Sequence, residues 1–304
     1  MICLTSSQLT ARIDPDRGAD IVDLTHRPSG ASLFFSTPWR NRADRGVQVM
    51  TGSQARWLEG YRGGWQTLIP NAGQPKSVGG AEYGFHGEAS VVPWVAVDAD
   101  ESLARLEVEL TSVPVRIERH VSLNDGSLRI DDRLENLSTV ELELDYVHHP
   151  AFGGDFLSGS CTIESGARVF INDTEGGWAG APFGSRHRWP RVDGHTETLD
   201  LRRVPASDEP RALFGWLTDF EQPWASISNG RLSARLDWDG QVMPHAWLWQ
   251  ELGGSTGWPW FGRARTVAIE PSSTPTSGPD RQSAVSLGPR GALETWVQLS
   301  ISRL

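Results

Sequence analysis

Cysteine is nearly absent from this chain of 304 residues, which contains only Cys3 and Cys161. Two cysteines cannot build a disulfide framework, and their spacing is not that of metal ligands, so the composition suits a reducing compartment. A long hydrophobic run is missing too, because no segment has the roughly 18 consecutive apolar residues that could cross a bilayer. The first residues also lack the basic and apolar parts of a signal peptide. We therefore expect a cytoplasmic protein with no membrane partner.

Positive charge is in short supply, because 28 Lys and Arg residues stand against 38 Asp and Glu residues. The formal net charge is -10 and the pI is about 5.3. This balance disfavours nucleic acid as a partner, and an uncharged small molecule fits it most easily. One stretch is locally basic, and we interpret its arginines as solvated surface groups rather than an anion site: Arg40, Arg42, Arg45 and Arg56.

Tyrosine is rare, with 3 residues, whereas tryptophan is abundant, with 14. An indole ring combines a broad apolar surface with one N–H donor, which suits both a packed core and the apolar face of a sugar ring. A length of 304 residues allows one large domain or two ordinary ones. We predict a single domain over residues 1–304, and a monomer and a homodimer are both compatible with it.

The clearest secondary-structure pattern lies in residues 103–149. Apolar and polar residues alternate there, as in half-buried strands, within the segments ARLEVEL, VRIERHVSL, SLRIDDRLEN and VELELDYVHH. The sequence Asn-Asp-Gly at 124–126 is typical of a hairpin turn. The alternation places His148 with the apolar set and His149 with the polar set, so only one of them should reach a cleft. With no long helical pattern anywhere, the chain is predicted to be all-β and antiparallel.

Residues 62–88 have the composition of a loop-rich polyol-binding site. Seven glycines permit tight turns and close backbone approach. The stretch contains one flat apolar side chain, two amides, an imidazole and a carboxylate. These belong to Trp65, Gln66, Asn71, His86 and Glu88, respectively. The alternative is a turn-rich hairpin region in which His86 is a structural histidine. Two later histidines in a polar, loop-rich region, His187 and His195, are interpreted as surface groups.

A second concentration of aromatic residues beside carboxylates lies at residues 245–273. It includes Trp249 and Glu251 and ends in an apolar strand that brings Glu270 to a strand-to-loop edge before Pro271. Core packing is an alternative role for Trp249. A surface carboxylate at the end of a strand is the alternative for Glu270.

Four motifs in this order resemble those of the aldose 1-epimerase (galactose mutarotase-like) family, especially its divergent bacterial members: GGWQTLIPNAG, FHGE, HHPAF and VAIEP. The similarity extends loosely over most of the chain. It implies an antiparallel β-supersandwich with the site on a concave face. It also implies an isomerase that interconverts the α and β anomers of a monosaccharide, either neutral or anionic.

The resemblance assigns roles to three residues. His149 in HHPAF corresponds to the family's general-acid histidine, and Glu270 in VAIEP corresponds to its catalytic carboxylate. His86 resembles the family's second histidine, which orients the substrate. His148 and Ala151 replace the asparagine and tyrosine of the family's motif, and Glu88 replaces a glycine. Ring opening needs one acid and one base that titrate near neutral pH, so no metal or other cofactor is expected.

The remaining substrate contacts are assigned more loosely. Arg62 matches the family's substrate-binding arginine and should line the cleft, while Trp249 and Glu251 resemble sugar-lining residues. Further arginines in the cleft would favour an anionic sugar. Two other functions remain open: a non-catalytic sugar-binding domain, and a glycoside hydrolase that uses Glu251 and Glu270. The histidines favour the isomerase, because a carboxylate-pair glycosidase does not need both of them.

Overall fold

The computed structural model describes residues 1–39, 50–173, 181–194, 198–206 and 209–304. The strands of the first half are β1 (Ile2–Thr5), β2 (Leu9–Asp14), β3 (Asp20–His26), β4 (Ala31–Ser32), β5 (Gly64–Leu68), β6 (Lys76–Val78), β7 (Ala81–Tyr83), β8 (Val95–Ala99), β9 (Leu103–Glu109), β10 (Val115–Asn124), β11 (Ser127–Asn136), β12 (Leu142–Leu144) and β13 (Val147–Phe152). Those of the second half are β14 (Cys161–Asn172), β15 (Arg186–Arg188), β16 (Arg191–Asp193), β17 (Thr198–Asp200), β18 (Arg203–Val204), β19 (Arg211–Ser228), β20 (Leu232–Trp238), β21 (His245–Leu252), β22 (Arg265–Ser272), β23 (Val285–Leu287) and β24 (Ala292–Arg303).

Pairing between these described strands is antiparallel throughout. One sheet of 18 strands contains most of them and curves nearly into a barrel. The predicted Asn-Asp-Gly turn joins β10 to β11, where Asn124 pairs with Ser127. Asp125 in this turn has a φ of 44°, the left-handed conformation that such turns require. The prediction of an all-β antiparallel fold is confirmed.

The core lies inside this curved sheet and is made by alternate residues of the strands. β10 and β11 bury every second side chain, as their period-two pattern predicted. β5, β13 and β22 differ, because both of their faces are covered and nearly every residue is buried. Three tryptophans, Trp65, Trp238 and Trp247, are among the largest fully buried side chains. Two of these strands, β13 and β22, carry His149 and Glu270 of the candidate site.

Helical structure is confined to two short elements in the described part of the chain. Helix α1 (Ser53–Gly60) lies in a stretch that shows no convincing period in the sequence, and a 3-10 helix spans Gly154–Leu157. Helix α1 buries Ala55, Trp57 and Leu58, so its role is to bring these side chains against the sheet. The helices of the described residues are all too short or too polar to span a lipid bilayer.

Candidate active site

His149 and Glu270 face each other across two neighbouring strands. β13 and β22 pair Val147 with Ser272 and Ala151 with Ala268, so this register sets His149 opposite Glu270 on the same face. His149 Nε2 lies 3.6 Å from Glu270 Oε1. Both side chains are buried, with exposed fractions of 5% and 1% for the two residues. The sheet itself therefore holds an imidazole and a carboxyl group side by side.

Burial sets the protonation of this pair. It raises the pKa of Glu270 well above its usual value, and it lowers the pKa of His149 to about 4. Removal from water disfavours the charged form of each group, which is the cause of both shifts. His149 Nδ1 and Glu270 Oε2 have no hydrogen-bond partner within the protein. Both shifts favour the uncharged forms, a neutral imidazole beside a protonated carboxyl group, and each group has a free polar atom for a ligand.

His86 is the third titratable side chain at this place. Its ring centre lies 5.8 Å from that of His149. The backbone N–H of Gly73 donates to His86 Nδ1 at 3.0 Å. The pKa of His86 is lowered well below its usual value, mainly by burial and then by His149 and Arg281. A neutral ring that accepts at Nδ1 must carry its proton on Nε2, so His86 is a hydrogen-bond donor.

The three residues line a cleft of about 250 Å³, together with many aromatic side chains. Ring centres are 4.6 Å apart for Trp57 and Tyr61 and 5.4 Å apart for Trp249 and Trp260. Ligand pockets for drug-sized molecules are typically about 300–1,000 Å³, so this cleft suits a small ligand such as one sugar ring. The described lining residues are Gln54, Trp57, Leu58, Tyr61, Gly73, Gln74, Phe85, His86, His149, Phe214, Trp247, Trp249, Pro259, Trp260, Glu270 and Ser277.

The described lining contains neither lysine nor arginine. Arg62, which was expected in the cleft, is instead in an ion pair with buried Asp14, at 2.7 Å between Nη2 and Oδ2. This prediction was wrong because a buried carboxylate competes for the guanidinium. Arg40, Arg42 and Arg45 lie outside the described residues, as does His195.

Two further residues of the stretch 62–88 serve the core instead of the cleft. Trp65 is buried in the main core, and its Nε1–H donates to His148 Nδ1 at 3.0 Å. Gln66 is buried on the covered strand β5 and donates from Nε2 to the carbonyl of Gly63 at 2.8 Å. Neither lines the cleft, because β5 is covered on both faces.

Asn71, Glu88 and Glu251 also serve the backbone rather than the cleft. Asn71 Nδ2 donates to the carbonyl of Gly84 at 2.7 Å. The Glu88 carboxylate accepts from the backbone and hydroxyl groups of Thr111 and Ser112. Glu251 Oε1 accepts from the backbone N–H of Ser255 at 3.1 Å. Of the seven predicted substrate contacts, only Trp249 lies in the cleft.

Of the two adjacent histidines only one lines the cleft, as predicted, although the predicted single strand is divided into β12 and β13 by a link at residues 145–146. His148 lies in a buried network in which Tyr146 Oη is 2.7 Å from its Nε2, while His149 lines the cleft. His187 lies outside the cleft and is partly exposed, with its Nε2 2.8 Å from Ser185 Oγ. Sequence reasoning missed Trp57, Tyr61 and Trp260, although Trp-Pro-Trp at 258–260 marked an aromatic cluster.

Solved structures named for mutarotases and epimerases share this fold. A galactose mutarotase-like protein from Lactobacillus casei is 17% identical with a TM-score of 0.69, covering 99% of this chain and 100% of that chain. An aldose epimerase homologue from C. elegans is 16% identical with a TM-score of 0.68, covering 100% of this chain and 98% of that one. A galactose mutarotase-like protein from Clostridium acetobutylicum is also 16% identical with a TM-score of 0.68, covering 99% and 95%.

These likenesses confirm the galactose mutarotase-like supersandwich predicted from the motifs, and at such identities they show the fold alone. The comparison with curated proteins gave no match. The model of one family, described as a domain of unknown function, matches residues 1–290. This chain therefore belongs to the DUF4432 family.

Proposed function

We propose that this protein interconverts the α and β anomers of a monosaccharide by acid–base opening of the hemiacetal ring. The observation that carries the proposal is the buried pair of His149 and Glu270, 3.6 Å apart in a cleft with His86 and several aromatic rings. One acid and one base held around a single ring are what this reaction requires. The names of the structural neighbours are in keeping with it.

In the proposed reaction the Glu270 carboxylate removes the proton from O1 while the His149 imidazolium gives its proton to the ring oxygen. The bond between C1 and the ring oxygen breaks, and C1=O1 forms. Rotation about C1–C2 presents the other carbonyl face, and ring closure then reverses both proton transfers. The enzyme regains its starting state without exchanging a proton with solvent.

The reactive form needs the shared proton on His149, whereas burial favours it on Glu270 in the empty cleft. Both forms contain the same number of protons and differ by one transfer between Nε2 and Oε1. Hydroxyl groups of a bound sugar stabilise the charged form by hydrogen bonding to the free atoms Nδ1 and Oε2. His86 adds a neutral donor from Nε2, and the aromatic rings cover the apolar sugar faces.

A glycoside hydrolase that pairs Glu251 with Glu270 fits the structure poorly. Glu270 lies opposite Trp247 on the neighbouring strand β21, and Glu251 follows four residues later. Four residues of a strand span roughly 13 Å, and Glu251 does not line the cleft. Two carboxyl groups acting on one glycosidic bond stand about 5 to 10 Å apart. The other alternative, a sugar-binding domain without catalytic activity, can be distinguished from an isomerase by the following experiment.

We expect the purified protein to accelerate anomer exchange of a neutral aldose more than that of the matching anionic sugar. The described lining offers no lysine or arginine to balance a phosphate, sulfonate or carboxylate. The measurement is saturation-transfer NMR or polarimetry on freshly dissolved α-anomers, across neutral hexoses, uronic acids and sugar phosphates. The rate in buffer alone is subtracted for each sugar.

Binding of a sugar without any acceleration would contradict the isomerase and support the binding domain. Release of a monosaccharide from a disaccharide would support the glycosidase. Faster exchange of the anionic sugars would keep the reaction but contradict the assignment of a neutral substrate.

The rate of exchange should also depend on pH in a bell-shaped manner. The pair of His149 and Glu270 is active when it carries one proton. Lowering the pH adds a second proton, raising the pH removes the only one, and either change stops the reaction. Since the pKa of His149 is lowered to about 4, the acid limb of kcat/KM should lie near that pH. Since the pKa of Glu270 is raised, the alkaline limb should lie well above the ordinary range of a carboxyl group. An acid limb at about 6.5, the usual pKa of histidine, would contradict this assignment.

A further inference from the structure

We propose that Arg281 is a positioning residue, which clamps three loops to Asp145 and thereby holds the His86 ring as a donor from Nε2. The inference rests on the proposed function, since it gives His86 the task of orienting the sugar. Arg281 lies outside the four sequence motifs and does not line the cleft. Its contacts nevertheless reach two loop segments beside His86, at residues 71–74 and 277–278.

Asp145 is the fixed centre of the clamp. Its side chain is completely buried, in the link between β12 and β13. It accepts from Arg281 Nε at 2.9 Å and from the backbone N–H of Ala72 at 3.1 Å. Lys76 Nζ lies 3.0 Å from both of its carboxylate oxygens. These contacts hold the Asp145 carboxyl group and the Arg281 guanidinium in one place.

Arg281 uses its other donors on the loops. Its Nη1 donates to the carbonyl oxygens of Gln74 and Gly278 at 3.0 and 2.6 Å, with a longer contact of 3.3 Å to Ser277. Its Nη2 donates to Asn71 Oδ1. Asn71 in turn donates to the carbonyl of Gly84, next to the segment that carries His86. One planar side chain thus ties residues 71–74, 277–278 and 84–86 together.

Gly73 transmits this order to the His86 ring. Its N–H donates to His86 Nδ1, and its carbonyl accepts from the backbone N–H of His86 at 3.1 Å. Gly73 has a φ of +80°, and a Cβ there would lie 2.4 Å from the carbonyl oxygen of Ser277. Residues 73 and 277 are therefore closely packed, which leaves the Gly73 N–H little room to move away from His86 Nδ1. Any shift of residues 71–74 moves the N–H that fixes the proton on Nε2.

Electrostatics act in the same direction as the geometry. The positive charge of Arg281 lowers the pKa of His86, behind the larger effects of burial and of His149. A protonated His86 would donate from both nitrogens and could no longer accept from Gly73. Arg281 therefore favours the neutral ring through its charge and the correct tautomer through its hydrogen bonds.

The experiment replaces Arg281 by lysine, which retains the charge but not the planar arrangement of five donors. Ring nitrogens of the 8 histidines are observed by NMR on protein labelled with ¹⁵N-histidine, and His86 is assigned from the spectrum of a His86→Gln variant. In the wild-type protein we expect the His86 ring to be unprotonated at Nδ1 and protonated at Nε2. In Arg281→Lys we expect a mixture of tautomers and a fall in kcat/KM of about 10- to 100-fold, the scale of a small misplacement.

Arg119→Lys is the matched control. Arg119 is also buried and is paired with Asp132, at 2.7 and 2.6 Å, and its other side-chain hydrogen bond goes to Thr67, outside the clamped loops. This variant should leave the His86 ring signals as in the wild-type protein. A general loss of packing would disturb the signals in both variants.

Unchanged His86 ring signals in folded Arg281→Lys would overturn the proposal, whatever the activity. If the tautomer shifts as expected but the wild-type protein never accelerates anomer exchange, the clamp stands and the proposed function fails. If Arg281→Lys does not fold, Asn71→Ser takes its place. That variant removes the link through which the guanidinium reaches the Gly84 carbonyl. A change in the His86 ring signals would support the clamp, and unchanged signals would overturn it.

Discussion

Replacement of Glu270 by glutamine is expected to slow protein-catalysed anomer exchange by about 100-fold or more. The amide has nearly the same shape and keeps a hydrogen-bond acceptor in the buried position of Glu270. It cannot accept the proton from O1 at any accessible pH. Sugar affinity should change only modestly, because binding depends on shape and hydrogen bonds that the amide largely retains.

The rate is measured by saturation-transfer NMR at several protein concentrations, so that the protein's contribution is separated from the buffer's. Glu251→Gln is the matched control, because Glu251 is also buried and lies on the neighbouring strand β21 outside the cleft. Its Oε1 accepts from Ser255, and an amide oxygen can do the same. This control should keep the wild-type rate. Full activity in Glu270→Gln would mean that another group removes the O1 proton.

The face of His149 could be predicted from strand alternation, whereas Glu270 was selected by its motif and lies within β22, two residues before the end of the strand. A period of two residues decides which of two adjacent histidines points with the polar set. The structure adds the reason for their proximity, which is the register between β13 and β22. His149 and Glu270 are 121 residues apart in the chain (270 − 149). The register between their strands cannot be inferred from either strand alone, so only the resemblance of motifs could suggest that they meet.

Most of the predicted substrate contacts lie outside the cleft for a different reason. The pattern of residues 64–68 does not reveal that β5 is covered on both faces, which buries Trp65 and Gln66 in the core. Arg62 pairs with Asp14, which is distant in sequence, and Asn71 accepts from Arg281, which lies in another loop. A local pattern reports the chemistry of a side chain, whereas its partner is decided by tertiary packing.

The aromatic side chains that line the cleft could not be predicted from local sequence either. Trp57 and Tyr61 reach the cleft through helix α1 and the residue after it, in a segment without hydrophobic periodicity. Helix propensity is a weak signal over eight residues, and such a short helix forms because packing against the sheet stabilises it. The composition showed that tryptophan is abundant, but it did not indicate which tryptophans line the cleft and which pack in the core.

Replacement of His149 by asparagine is expected to slow exchange by about 100-fold or more as well. Asparagine keeps a polar side chain beside the carboxyl group of Glu270, but it cannot deliver a proton to the ring oxygen. The pKa of Glu270 is raised by burial alone, so it should stay raised in the variant. The readouts are the exchange rate, the affinity for the same sugar and the unfolding temperature, and the last of these excludes a simple loss of the folded protein.

The double variant, His149→Asn with Glu270→Gln, tests whether the two residues act as one unit. Independent contributions would multiply to a loss of roughly 10,000-fold. If one proton is shared within the pair and both transfers occur in a single ring-opening step, removing either partner already disables that step. The double variant should then be hardly slower than the slower single variant. Losses that multiply would assign the acid and the base to separate steps, and they would contradict the concerted mechanism that the separation of 3.6 Å supports.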